Sequence, residues 1–189
     1  MNTKSLSAAV VAVGAGVVLA LAPAAAAHAH VSASATSTAA GSSTVVTFSV
    51  PHGCQGSPTT AVRIELPESI PAVTPTVNAN WTVEKTVEQL AEPLQDAHGN
   101  AVTERVTSVT YTAIGAGLAE GYRDTFELSL RLPEGDTGDV VAFPTFQTCV
   151  DGSADWVGDD APSITLTAAT GDADHHGSAS DDQPAAAHG

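Results

Sequence analysis

The chain has 189 residues, and 6 Lys and Arg against 21 Asp and Glu give it a formal net charge of −15. Length alone suggests one domain with extensions. So negative a charge argues against nucleic acid and anionic membrane surfaces as partners, because both attract clustered cations. Aromatic residues make up only 4% of the chain, so a core must depend mainly on Val, Ile and Leu.

Residues 1–29 have the pattern of a secretory signal peptide. A single lysine precedes a continuous apolar stretch over residues 6–21, which Pro23 ends. Small residues up to Ala29 predict cleavage there and a mature chain that begins with His30. An uncleaved anchor is the alternative, but the stretch is shorter than the ~20 apolar residues of a typical span. No second apolar run occurs near the C-terminus, so the sequence predicts an exported protein without direct membrane insertion.

Short stretches rich in Val, Thr, Ile and Phe follow, separated by turn-forming Pro, Gly and Asn clusters. Seven or so short strands predict an all-β fold, an immunoglobulin-like β-sandwich, with a secreted barrel as the competing architecture. Residues 88–95 are the one stretch where a helix could start, and Pro93 would cut it short. The predicted strands lie near residues 44–50, 60–66, 81–87, 102–112, 125–132, 139–148 and 163–169.

The two cysteines, Cys54 and Cys149, both lie in the predicted exported part. An even pair in an oxidising compartment predicts one disulfide, and a bridge closing so long a loop contributes about 2–4 kcal/mol. The alternative is a thiolate metal site, since His52 lies two residues before Cys54. The structural bridge is favoured because neither cysteine belongs to a CxxC pair.

Residues 171–189 contain no large apolar side chain, which predicts a disordered tail after a domain that spans 30–170. The tail holds four Asp residues and His175, His176 and His188. A flexible segment of this composition could collect metal ions weakly. A solubilising linker is an equally good interpretation.

Motifs of known enzyme classes are absent: the chain has no GxSxG, no HExxH, no P-loop and no GxGxxG before a helix. The Asp pairs at 159–160 and 181–182 lack the alternating spacing of a calcium loop. The sequence therefore predicts a binding protein that is not an enzyme.

A mature N-terminal His30 would offer two nitrogens from one residue, the α-amine and the ring Nδ1. Together they close a six-membered chelate that suits Cu(II), which prefers nitrogen ligands in a square plane. The amine must lose a proton whose reference pKa is ~7.7–8.0, so binding should weaken as the pH falls. A chance product of cleavage would explain the residue equally well. Cleavage after Ala27 would instead expose His28-Ala29-His30, which can bind Cu(II) without a fold.

Several sequence motifs favour the copper-binding interpretation of His30. They are His30-Val31 at the predicted start, SVPHGC at 49–54, NWTV at 80–83, FPT at 143–145 and QTC at 147–149, followed by Asp151-Gly152 and Trp156. Together they resemble the YcnI-like family, exported bacterial copper-binding domains encoded beside copper importers. The similarity covers about residues 30–170. It implies an immunoglobulin-like sandwich that holds Cu(II) through a single-histidine brace at His30, with Trp156 close to the metal. Many relatives end in a membrane helix, whereas this sequence ends in the His- and Asp-rich tail.

Three functions follow, in order of preference. The first is a secreted Cu(II)-binding protein, a metallochaperone for copper acquisition or homeostasis, with a membrane copper importer as partner. The second is an oxidative enzyme with a copper brace, which needs another histidine ligand from the fold, His52 or His98. The third is a cell-surface binding or adhesion module without metal. Without the family resemblance, Trp156 would be interpreted as a residue at the rim of the sandwich. Trp81 is predicted to be the core tryptophan.

Overall fold

The computed structural model describes residues 30–95 and 99–170. The predicted signal peptide, His98 and the predicted tail lie outside these residues. The described part contains no α-helix and one short 3-10 helix, Gly158–Asp160. None of its helices is long and apolar enough to cross a membrane. Its strands are β1 (Ser32–Ala35), β2 (Ser43–Val50), β3 (Thr59–Glu65), β4 (Val73–Pro75), β5 (Trp81–Gln95), β6 (Ala101–Ala113), β7 (Asp124–Arg131), β8 (Val140–Ala142), β9 (Thr145–Cys149), β10 (Ser153–Trp156) and β11 (Ser163–Thr165).

Two antiparallel sheets share one hydrophobic core. The four-stranded sheet has the order β1-β2-β7-β4, and the five-stranded sheet has the order β10-β9-β3-β6-β5. A third sheet of two strands, β11-β8, contacts β1. The predicted β-sandwich is confirmed, and β1 and β10 are edge strands of its two main sheets.

The core follows from period-2 alternation of side chains along the strands. In β2 every second residue is buried, and β7 repeats the pattern opposite it. Phe126 of β7 contacts two rings of the facing sheet, with ring centroids 5.0 Å from Trp81 and 4.6 Å from Tyr111. Trp81 is buried, so its prediction as the core tryptophan is confirmed. Burial of large apolar side chains such as these contributes roughly 1.5–3 kcal/mol each.

Every predicted stretch contains a strand, but residues 139–148 divide into β8 and β9 at Phe143-Pro144. Proline has no N–H to give to a ladder, so a strand ends there. The expectation that residues 88–95 could start a helix is wrong: they extend β5 to Gln95 and pair with β6. Arg105 donates from Nε to Oε1 of Glu88 across this ribbon, at 2.5 Å. Because β5 is an edge strand, it tolerates Pro93.

The predicted disulfide joins Cys54 to Cys149, with Cα atoms 6.0 Å apart. It ties the loop after β2 to the end of β9. The backbone N–H of Cys54 also donates to Sγ of Cys149, at 3.0 Å. Both cysteines are therefore used in a structural bridge, and the thiolate metal site considered from the sequence is excluded.

Candidate metal site

His30 lies directly before the edge strand β1. Val31 is buried in the core, and Ser32 pairs with Ser49 of β2, so the chain is fixed immediately after the histidine. The His30 side chain itself is 46% exposed. A mature N-terminus at this residue would therefore be anchored by the fold and still open to solvent.

Trp156 ends the edge strand β10, which pairs with β9. Gly152 has a φ of +82°, a conformation that glycine adopts at little cost, and it lets the chain reverse between the two strands. Trp156 lies opposite Thr145, and Ala154 lies opposite Gln147. Both β9 residues are buried, so Trp156 lies on the core-facing side of the sheet at its open edge. It packs partly buried against the core.

The structure brings His30 and Trp156 together. Their ring centroids are 5.3 Å apart, with an angle of 66° between the ring planes. The contact forms because His30 precedes the edge strand β1 of one main sheet and Trp156 ends the edge strand β10 of the other. Residues far apart in sequence thus share one corner of the sandwich.

A carboxylate also lies close to Nε2 of the His30 ring. Nε2 of His30 lies 3.2 Å from Oδ1 of Asp160, whose side chain is 65% exposed. Asp160 ends the 3-10 helix that follows β10, and this helix begins at Gly158 with a φ of +60°. When Nε2 carries the proton and donates it to a carboxylate, Nδ1 of the neutral ring keeps its lone pair. Sequence reasoning compared the Asp pair at 159–160 only with the ligand spacing of a calcium loop, which it does not fit, and missed this contact.

Beneath Trp156 lies a buried hydrogen-bond network. The indole Nε1–H donates to Oε1 of Gln147 at 3.1 Å. Gln147 is 1% exposed, and its Nε2 donates to the carbonyl oxygen of His52 at 2.6 Å and to Oγ1 of Thr59 at 2.7 Å. The sequence singled out QTC only as a family motif and gave Gln147 no role. Its position two residues before Cys149 places both side chains on the same face of β9 and was a usable signal.

The sequence named His52 and His98 as candidates for a second histidine ligand. Nδ1 of His52 lies 2.5 Å from the carbonyl oxygen of Gly53, and His98 lies outside the described residues. In residues 30–95 and 99–170, no group of three or more His, Cys, Asp or Glu side chains is arranged to hold a metal. The His30 corner thus offers one imidazole and one neighbouring carboxylate.

The charge around this corner is negative. The segment 151–160, which carries Trp156 and Asp160, contains four Asp residues and no Lys or Arg. Such a segment favours a cation near His30 electrostatically, at distances within the ~8–10 Å screening length. Imidazole nitrogen with carboxylate oxygen is a donor set compatible with Cu(II).

A family model described as "Domain of unknown function (DUF1775)" matches residues 30–186. The chain belongs to the DUF1775 family. This is the family that the YcnI-like resemblance refers to, and its match begins at His30. No protein of curated function matches this DUF1775 chain.

Solved structures that are similar to this DUF1775 protein include the following two. The first is an uncharacterized protein from Nocardia farcinica described as having an immunoglobulin-like fold. It is 29% identical with a TM-score of 0.55, over 75% of this chain and 99% of that chain. The second is a Corynebacterium diphtheriae protein with a provisional description as membrane anchored, 7% identical with a TM-score of 0.38, over 72% of this chain and 32% of that one. The second is too distant to support an argument, and the first confirms the predicted immunoglobulin-like sandwich.

Proposed function

We propose that this DUF1775 protein binds one Cu(II) ion through a mature N-terminal His30 and handles it outside the cytoplasm as cargo, without catalysis. The observation that carries the proposal is the contact of His30 with both Trp156 and Asp160. The family resemblance supplied His30 and Trp156 as expectations. The described fold supports them by bringing the two side chains together at one corner.

His30 would hold the ion with two nitrogens. Cleavage after Ala29 would free the α-amine, and amine and Nδ1 of the same residue close a six-membered chelate ring. Asp160 at Nε2 favours the tautomer that leaves the lone pair on Nδ1. A carboxylate hydrogen-bonded to the far nitrogen of a ligand histidine also orients the ring.

Trp156 would limit access of water to the ion and interact with its charge through the indole ring. Its place beside the histidine ring supports this role. The half-exposed His30 side chain suits an ion that is taken up and passed on, because an incoming partner ligand can reach it. We extend the proposal to a membrane copper importer as the acceptor.

The test begins with the processing site, because it decides whether the chelating amine exists. Mass spectrometry of the exported protein should give a first residue of His30. The purified mature protein should then take up one strongly bound Cu(II), with nitrogen hyperfine structure in the EPR spectrum. Three residues ending in proline, added before His30, remove its free amine without offering a continuous run of backbone amides, so they should abolish this binding, and so should His30→Ala. His98→Ala is the histidine control and should bind normally.

The alternative start at His28 makes a different prediction. A His28-Ala29-His30 terminus can wrap Cu(II) with its amine, backbone amides and a ring nitrogen, and it needs no fold. Its copper binding would therefore survive Trp156→Phe and chemical unfolding. Equally strong binding in the proline-extended protein or in the unfolded chain would contradict the His30 brace.

A further inference from the structure

We infer that Gln147 is a positioning residue that holds the Trp156 indole against His30. The inference deepens the proposed function, and its consequence for copper rests on that function. Its observation is a different one: the buried network that begins at the indole Nε1–H and runs into the sandwich.

The chemistry of the network requires a side chain at position 147 that can both accept and donate hydrogen bonds. An indole N–H can only donate and a backbone carbonyl can only accept. A side chain that links the two must accept at one end and donate at the other, and the amide of Gln147 does both. Its Oε1 accepts from Trp156, and its Nε2 donates to the carbonyl oxygen of His52.

The lower end of the network is fixed on rigid backbone. Thr59, which accepts the second Nε2 bond, is itself fully buried. Its backbone exchanges two hydrogen bonds with Leu118, at 2.9 Å and 2.8 Å. The disulfide ties the loop between β2 and β3 to the end of β9 through Cys54, only two residues from His52. Gln147 therefore transmits the rigidity of the interior to an indole at the open edge.

This arrangement predicts that the indole is oriented before any metal arrives. Trp156 ends a four-residue edge strand, and its side chain is only partly buried. Preorganisation lowers the entropy cost of binding, and loss of a buried partner leaves the remaining polar groups unsatisfied. Partners that orient the groups around a metal typically affect affinity 10- to 100-fold.

Gln147→Met keeps the volume of the side chain and removes both hydrogen-bonding ends. Hydrogen exchange of the indole N–H, followed by NMR, tests the apo protein directly. The chain has two tryptophans, so Trp81, whose Nε1–H donates to Asp124 at 2.8 Å, is an internal reference. We expect faster exchange at Trp156 and unchanged exchange at Trp81.

The copper arm is a double-mutant cycle. Gln147→Met should lower Cu(II) affinity roughly 10- to 100-fold and change the EPR spectrum. Trp156→Phe breaks the same hydrogen bond from the other side, so adding Gln147→Met to it should have little further effect. Thr44→Val is the control for stability alone, because Thr44 is buried and hydrogen-bonded at a different place, to Thr36 and Ser37.

The outcomes separate the two claims. Wild-type protein that starts at His30 and binds no Cu(II) overturns the proposed function, while the exchange measurement still decides whether Gln147 holds the indole. Wild-type protein that binds while Gln147→Met binds equally well overturns the inference and leaves the function standing. Should Gln147→Met not fold, Gln147→Leu also lacks both hydrogen-bonding ends and should show the same loss.

Discussion

Nε2 of His30 lies 3.2 Å from Oδ1 of Asp160, although one residue precedes the first strand and the other follows the tenth. The contact is made between half-exposed groups, so as an ion pair it adds little to stability. Its value lies in the orientation that it gives to the imidazole. Substitutions at this contact should therefore change the Cu(II) affinity more than the free energy of unfolding.

Asp160→Ala should lower Cu(II) affinity about 10-fold with little change in the free energy of unfolding, because the ring loses the partner that orients it. Asp160→Asn keeps an oxygen acceptor for Nε2 and should retain most of the affinity. Asp159→Ala removes the neighbouring acid of the same 3-10 helix and is the matched charge control. Competition titration against a Cu(II) chelator measures all three. Equal losses in Asp159→Ala and Asp160→Ala would reduce the effect to local charge.

The two tryptophans should separate stability from copper binding. Trp81 is buried, contacts Phe126 and donates to Asp124, so Trp81→Phe should destabilise the fold by about 2 kcal/mol and leave copper affinity unchanged. Trp156 lies at the edge, so Trp156→Phe should reverse this pattern, with a small loss of stability and a large loss of affinity. Urea unfolding and Cu(II) titration of both variants give the comparison. Tight Cu(II) binding by Trp156→Phe would show that Trp156 only packs at the rim of the sandwich and has no role in copper binding.

How much of the fold can be predicted depends on burial. Strands β2 and β7 alternate apolar and polar residues because one face packs on the core, and the sequence pattern finds them. The edge strands β1 (SASA) and β10 (SADW) have only small or partly exposed residues, so their pattern is too weak. Residues 84–89 of β5 are exposed on both faces, and the mixed polarity of residues 88–95 suggested a helix.

The candidate site lies on those weakly patterned segments. His30 and Trp156 came from the family resemblance, since no spacing rule joins residues at the ends of two different edge strands. The position of Asp160 next to His30 depends on the path of the chain after β10, which cannot be predicted from two consecutive Asp residues. Gln147 was within reach, because the alternation of β9 places it inward with Cys149.

Loss of the disulfide should affect stability and the metal site together. In Cys54→Ser/Cys149→Ser the long loop opens, which should cost about 2–4 kcal/mol of the free energy of unfolding. Cys54 lies two residues from His52, whose carbonyl accepts from Gln147, so Cu(II) affinity should also fall in the protein that remains folded. The serine variant needs no reductant, which would itself reduce Cu(II). Unfolding curves and titration at a temperature where the variant is folded test both effects, and unchanged affinity would separate the bridge from the site.

Alkaline pH should destabilise the fold through Tyr111. Its ring is fully buried, and its hydroxyl donates to the carbonyl oxygens of Thr76 and Glu127. Burial, and secondarily the charge of Glu127, raises the pKa of Tyr111 to about 12. In the unfolded chain the phenol has a pKa of ~10. Below that value the ring is protonated in both states, and the full stabilisation is present.

Between pH ~10 and ~12 the unfolded ring releases its proton while the folded ring keeps it, so the free energy of unfolding falls as pH rises. A difference of this size corresponds to roughly 2–3 kcal/mol over the whole interval. Tyr111→Phe should be less stable at neutral pH, because two carbonyls lose their donor, and should lack this alkaline slope. The chain has two tyrosines, and Tyr122 is 69% exposed, so Tyr122→Phe should keep the slope. Urea unfolding at several pH values measures it, and a slope that persists in Tyr111→Phe would assign the alkaline loss to other groups.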